Sequence, residues 1–232
     1  MAHAPDIINF PDIEKVRETE TWVFDLDNTL YPVTANLFDQ IDKRMCSYIA
    51  DYLDIPAADA YKVQKSFFRE HGTTLRGMME CHDMDPAPYL EYVHQVDMAS
   101  INPDQQMISA LHKLPGRKIV FTNAATKYAT RVLDNLGISD HFEAVFDIVD
   151  AGYLPKPDPS VYAKFVDKFD FDPAKAIMVE DIARNLVPAA DMGMVTVWVK
   201  TNRPWAHADA ENINLDFTTN DLSGWLNAVV DG

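Results

Sequence analysis

The sequence predicts an α/β fold: a Rossmann-like parallel sheet whose first strand is followed by an all-helical insertion. Three observations predict it. Short apolar runs rich in Val, Ile and Phe recur at 21–24, 118–121, 144–149, 176–179 and 195–199. Runs this short with no polar alternation read as strands buried on both faces. Helical patterns separate the later runs, and strands alternating with helices build a parallel sheet covered on both sides. From Ala35 to about Ile101 the alternation stops and only helical periodicity remains.

Each element has its own signal. In the insertion, Leu37, Ile41, Met45, Tyr48, Ile49 and Tyr52 recur at three- and four-residue spacing, which makes an amphipathic helix. Further helices are expected over 57–70, 75–82 and 88–96, with breaks at Gly72, Asp85-Pro86 and Asn102-Pro103. Beyond it, the helix expected over 126–136 meets Gly137, a residue suited to the left-handed C-terminal cap. Helices over 159–169 and 182–192 complete the alternation. The domain reading is a catalytic core from 1–34 and 102–232, with a helical cap over 35–101. The cap leaves and re-enters beside the loop after the first strand, so it reads as a lid, hinged near 32–35 and 101–103. Residues 202–232 carry no readable motif.

Composition narrows the function. The 232 residues are 47% hydrophobic and 24% charged, enough for a real core, and the formal charge is −16. That charge argues against a nucleic acid polymer or an anionic membrane as partner. It permits an anionic small molecule, because a cation and one lysine reverse the sign locally. No apolar stretch of ~20 residues spans a bilayer, and 1–6 lack the features of a secretory signal. Cys46 and Cys81 have no metal-binding spacing; two free thiols in a reducing cytoplasm is the simplest account, with one disulfide left open. Monomer and homodimer both remain open.

The chemistry lies at strand ends. Trp22-Val23-Phe24 runs into Asp25-Leu26-Asp27-Asn28-Thr29-Leu30-Tyr31. Residues i and i+2 of a strand share a face, so both acids reach one centre. Two close carboxylates repel until one takes a proton or both share a cation. The second run ends in Thr122-Asn123, and a later one in Glu180-Asp181. Ligands of open α/β sheets bind at the carboxyl ends of strands, so these groups converge on one edge. Pro155-Lys156-Pro157-Asp158-Pro159 presents Lys156 on a loop stiffened by its prolines.

Together these motifs resemble the haloacid dehalogenase superfamily. Asp25-x-Asp27 with Thr29, then Thr122, Lys156 and Glu180-Asp181 occur in the family's order. Asp25–Tyr31, Thr122-Asn123-Ala124, Lys156-Pro157-Asp158-Pro159 and the segment from Glu180 to Leu186 are most similar to its pyrimidine 5′-nucleotidase branch. The resemblance implies a phosphomonoester hydrolase. Asp25 is then the nucleophile, forming an aspartyl-phosphate, and Asp27 the general acid and base. Thr122 and the backbone at Asn123 bind phosphoryl oxygens, and Lys156 offsets the charge of Asp25 and phosphate. Mg²⁺ is held by Asp25, the carbonyl of Asp27 and Asp181, with Glu180 in the outer coordination sphere; hard oxygen ligands suit that ion. Many relatives carry a further Asp after the fourth motif, where this chain has Asn185.

The full set is needed for such a reaction. Phosphomonoester hydrolysis can demand an acceleration approaching ~10²¹-fold, roughly 28 kcal/mol. General acid–base help supplies about 10²–10⁴-fold, leaving most to charge stabilisation and positioning. The alternatives within the superfamily are a sugar-phosphate phosphatase, a phosphomutase and a 2-haloacid dehalogenase; dehalogenating relatives lack the second aspartate. Substrate choice would fall to the lid or the first loop, where Asn28, Tyr31, Arg69, His71, Arg76, Tyr89 and His94 are candidates. Tyr89, Trp205 and Trp225 read equally well as core or interface.

Overall fold

A computed structural model describes residues 16, 18–208, 210, 213 and 215–231; residues 1–6, read above for a secretory signal, lie outside the described residues. Six strands form one parallel sheet: β1 (Thr21–Phe24), β2 (Arg117–Phe121), β3 (Ala144–Phe146), β4 (Ala176–Glu180), β5 (Val195–Val199) and β6 (Phe217–Thr219), in the order β3-β2-β1-β4-β5-β6. The chain builds outward from β1 on one side, then crosses back to build outward on the other. β1 is therefore central, with Phe24 level with Val120 on β2 and Val179 on β4. Neighbouring strands lie ~4.8 Å apart, so this register puts the residues following three strands within side-chain reach of one another.

Side-chain alternation divides the core. Trp22, Phe24, Val120, Ile177 and Val179 face one side of the sheet, and Val23, Ile119, Phe121 and Met178 the other. On the second side Phe121 stacks on Phe165, at 4.7 Å between ring centroids. The first side runs without interruption into the helices that follow β1. These are α1 (Leu37–Leu53), α2 (Ala57–Glu70), α3 (Thr74–His82) and α4 (Pro86–Val93). Helices α5 (Gln105–Lys113), α6 (Thr126–Leu136), α7 (Pro159–Phe169), α8 (Val187–Asp191) and α9 (Leu222–Asp231) accompany the remaining strands.

The expected elements differ from these in a few places, each with a local cause. The run at 144–149 stops at Phe146 because Asp147 folds the chain back. Its carboxylate accepts from Thr126 N and Thr126 Oγ1 at 2.7 Å, from Val149 N at 2.9 Å and from Asp150 N at 2.8 Å. The helix expected over 182–192 divides into a 3₁₀ turn, Ala183–Leu186, and α8, because Pro188 has no N–H and favours a first-turn position. Helix α4, expected over 88–96, runs from Pro86 to Val93, and Asp85 caps it by accepting from Ala87 N at 3.0 Å. Neither α5, β6 nor α9 was read from sequence; α5 and α9 pack together, and Trp225 of α9 meets Trp22 edge-on at 6.5 Å.

Three residues tie the helical layer to the sheet side. Arg203 donates to Asp39 at 2.6 Å, and Arg131 donates to the carbonyls of His94 and Val96 at 3.0 and 3.1 Å. Trp205 lies between Phe38 and Phe68, with centroids 6.1 and 6.0 Å away. So the segment after β5, silent in sequence, secures the layer. No described helix is long and apolar enough to cross a membrane.

Candidate active site

Asp25 follows β1 and is buried. Its backbone N–H donates to the Val179 carbonyl at 2.9 Å, extending the ladder one residue past the strand and fixing where its carboxylate projects. One carboxylate oxygen accepts from Lys156 Nζ at 2.8 Å, the other from Thr29 Oγ1 at 3.1 Å. Lys156 spends its remaining donors on Glu180 Oε2 at 2.7 Å and the Phe121 carbonyl at 2.8 Å. Burial works against its charge, but Asp25 and Glu180 hold it above the ordinary lysine range. An ammonium donates three hydrogen bonds, so Lys156 is saturated and its loop is pinned by its own head group.

The same loop is clamped at its backbone. Asn123 Oδ1 accepts from Lys156 N at 2.8 Å and Asn123 Nδ2 donates to Lys156 O at 3.4 Å. The Asn123 side chain thus positions Lys156, a task the sequence reading did not give it. Thr122 is buried, and its hydroxyl accepts from Ala124 N at 3.0 Å.

Glu180 and Asp181 divide the work at the end of β4. Glu180 is fully engaged: Oε2 holds Lys156, while Oε1 accepts from Asn185 Nδ2 at 2.9 Å and Ile182 N at 3.3 Å. Asn185 is therefore a donor to Glu180. Asp181 Oδ2 is buried with no hydrogen-bond partner. Oxygens of Asp25, Glu180 and Asp181 lie within 4.8 Å of one another. Three buried acids around one lysine carry excess negative charge, and burial together with mutual repulsion pushes Glu180 and Asp181 upward. The orphaned Asp181 oxygen and this crowding fit a hard divalent cation.

Asp27 sits apart from that cluster. Its Oδ1 accepts from Tyr31 at 2.5 Å and from Tyr128 at 2.7 Å. Burial and then the charge of Asp25 push its carboxyl up to about 6, against the pull of the two phenols. Tyr31, a candidate for reading substrate, is buried and serves Asp27 instead. Tyr128 was missed, because a tyrosine in the first turns of α6 looks in sequence like any core aromatic. His94 stacks on Tyr128 at 4.5 Å, and burial, then Arg131, push it down to about 4, so it is neutral at pH 7.

These groups open into a cavity of about 540 Å³ between the strand ends and helices α1–α4. Among the sequence candidates, Asn28, Arg69, Tyr89, His94 and Trp205 line it. His71 and Arg76 do not; both pair with Glu80, at 2.7 and 2.6 Å. Trp225 belongs to the core, and Cys46 and Cys81 are free thiols.

Residues 19–193 match the model of the haloacid dehalogenase-like hydrolases. The chain belongs to that family. A 63-residue stretch is 35% identical to bifunctional epoxide hydrolase 2 of Rattus norvegicus, covering 27% of this chain and 11% of that protein. The curated relatives it matches are thus far longer than the stretch they share. A HAD phosphatase from Thermococcus onnurineus superposes with a TM-score of 0.59 at 17% identity, over 91% of this chain and 98% of that one. The L-2-haloacid dehalogenase of Xanthobacter autotrophicus, with chloropropionic acid covalently bound, gives 0.57 at 16%, again over 91% and 98%. These likenesses establish the fold. They do not separate phosphate from halide chemistry, since the scaffold is common to both.

The hydrolase's acid cluster leads to a pH prediction. Asp27, Glu180 and Asp181 all lie above their ordinary values. Groups raised on folding contribute stability at pH below their unfolded values, and that contribution is lost as pH rises through the folded ones. His94 and His141, pushed down, work the other way but are outweighed by the three raised acids, so the chelator-treated protein is expected to melt at a lower temperature at pH 8 than at pH 5. The increment from an added divalent cation should be larger at pH 8. Scanning calorimetry at both values, with and without the ion, checks this; an increment independent of pH would contradict it.

Proposed function

We propose that this hydrolase cleaves phosphomonoesters with Mg²⁺ through an aspartyl-phosphate on Asp25, and that its substrates are pyrimidine nucleoside 5′-monophosphates. One observation carries the reading. A second carboxyl, Asp27, stands beside the nucleophile but outside the lysine–carboxylate cluster, held by two phenols and pushed up to about 6. A general acid and base works best with a pKa near the operating pH. Dehalogenation has no leaving alkoxide to protonate, so it gives such a group no task.

The residues act in sequence. Lys156 and Thr29 fix the Asp25 carboxylate, each bonding one of its oxygens. Asp25 attacks phosphorus; an O–P bond forms as the bond to the leaving oxygen breaks. Protonated Asp27 delivers its proton to that oxygen, then takes one from the water that cleaves the acyl phosphate. Asp25 is thereby regenerated. Thr122 and backbone N–H groups near Asn123 hold phosphoryl oxygens, while Lys156 balances their charge. Asp25, the Asp27 carbonyl and Asp181 would hold Mg²⁺, whose charge would neutralise the phosphoryl group. Glu180 keeps Lys156 and Asn185 in place around it.

In this reading 1–34 and 102–232 form the catalytic core and 35–101 the cap. The substrate is a small phosphomonoester, with no nucleic acid polymer or membrane as partner. The free thiols accord with the cytoplasm.

Phosphate release tests it. With Mg²⁺, UMP and CMP are expected to exceed AMP, GMP and common sugar phosphates in kcat/KM, and chelator should abolish turnover. Equal rates across the panel, or highest rates on sugar phosphates, would remove the nucleotide assignment. Turnover insensitive to chelator would remove the metal.

A further inference from the structure

Within the cap, two buried polar atoms on residues that line the cavity have nothing to bind. Gln64 and Tyr89 each retain 1% of their accessible surface, and both line the cavity that holds Asp25 and Asp27. Gln64 Oε1 and Tyr89 Oη have no hydrogen-bond partner. Buried polar groups are nearly always paired, so two orphans in one cavity point to a ligand.

The free half of Gln64 is defined by its other half. Its Nε2 donates to Asp42 O at 3.1 Å and Asp42 Oδ1 at 2.7 Å. Turning the amide over would set its oxygen against two acceptors. Asp42 is fixed in turn by Lys65 at 2.6 Å. The group offered to the cavity is thus an acceptor. Tyr89 is held edge-on by Tyr48, at 5.2 Å between centroids, and burial keeps its hydroxyl protonated, so it can give or take one bond.

The residues lining the same cavity include the apolar Ile41, Met45, Leu75, Leu90 and Val93. A sugar placed there would bury several hydroxyls against hydrocarbon, which is costly. A planar heterocycle has two apolar faces and confines its polar groups to an edge.

We infer that Gln64 and Tyr89 determine specificity by reading the polar edge of a heterocyclic leaving group: Gln64 Oε1 accepts from a ring or exocyclic N–H, and Tyr89 binds the neighbouring acceptor. This rests on the phosphatase reading and names the part of the substrate that the cap selects. Uracil, with N3–H between two carbonyls, offers that pattern.

The test compares UMP, 3-methyluridine 5′-monophosphate and p-nitrophenyl phosphate with the Mg²⁺-loaded enzyme. Methylation removes the donor and leaves Gln64 unpaired. It is expected to lower kcat/KM about 5- to 150-fold, chiefly through KM. Gln64→Leu should bring the ratio of UMP to its methyl derivative close to one. Tyr89→Phe should lower the ratio of UMP to p-nitrophenyl phosphate without lowering Tm, because its hydroxyl has no partner to lose. Equal kcat/KM for UMP and its methyl derivative, or cleavage of p-nitrophenyl phosphate but not UMP, overturns the inference and leaves a phosphatase. Failure to cleave all three overturns the phosphatase reading itself. The substrate comparison needs no variant, so poor folding of Gln64→Leu does not obscure it.

Discussion

Asp25→Asn is expected to lower turnover of any phosphomonoester by on the order of 10⁴-fold or more, with the fold and Tm preserved. Removing the member of a catalytic unit that forms the covalent bond costs losses of this order. An amide cannot attack phosphorus as a carboxylate does, yet it has nearly the same shape. Its oxygen still accepts from Lys156, and the backbone bond from Asp25 N to Val179 O is untouched. The substitution also removes one negative charge from the crowded group of Asp25, Glu180 and Asp181. So stability should hold or rise while chemistry stops. The check is kcat on p-nitrophenyl phosphate beside a melting curve. Retained turnover would displace Asp25 as nucleophile. Loss of activity with a collapsed Tm would show only a structural role.

Lys156→Met should strike stability and activity together. The ammonium is buried against Asp25 and Glu180, with side-chain exposures of 1%, 9% and 1%. Breaking a buried ion pair by removing one partner costs about 3–5 kcal/mol, because the remaining charge is left without compensation. For a chain of this size that lowers Tm by about 6–20 °C. A second substitution separates the effects. Lys156→Met with Glu180→Gln neutralises one stranded acid and should recover much of the Tm. It should recover none of the turnover, since phosphate still lacks the lysine charge. Were the double variant active, Lys156 would be a structural cation only. A single variant with unchanged Tm would show that its carboxylates simply take up protons.

The strand ends were legible because parallel strands carry a strong local signal. Val, Ile and Phe runs ending in Asp25, Thr122 and Glu180-Asp181 put chemistry where open sheets bind ligands. Helices α1 to α4 were legible from their three- and four-residue periodicity. By contrast β6 is a three-residue strand, and α5 and α9 are recognisable mainly through each other. Hydrogen bonding was illegible throughout. Asn123 and Asn185 look like loop residues in sequence. Only their distances to Lys156 and Glu180 reveal what they hold.

The sequence by itself therefore determined the fold class, the run of helices after β1 and which acids stand at strand ends, since periodicity and strand termination are local properties. Tertiary structure alone decided how those acids are used. It turned Glu180 onto Lys156 and left Asp181 free, and it brought Tyr128 from α6 to Asp27, 101 positions away. It also set Gln64 of α2 and Tyr89 of α4 beside one cavity with unspent polar atoms. Which partner a buried polar atom finds, or fails to find, depends on contacts between distant segments. No local pattern records them.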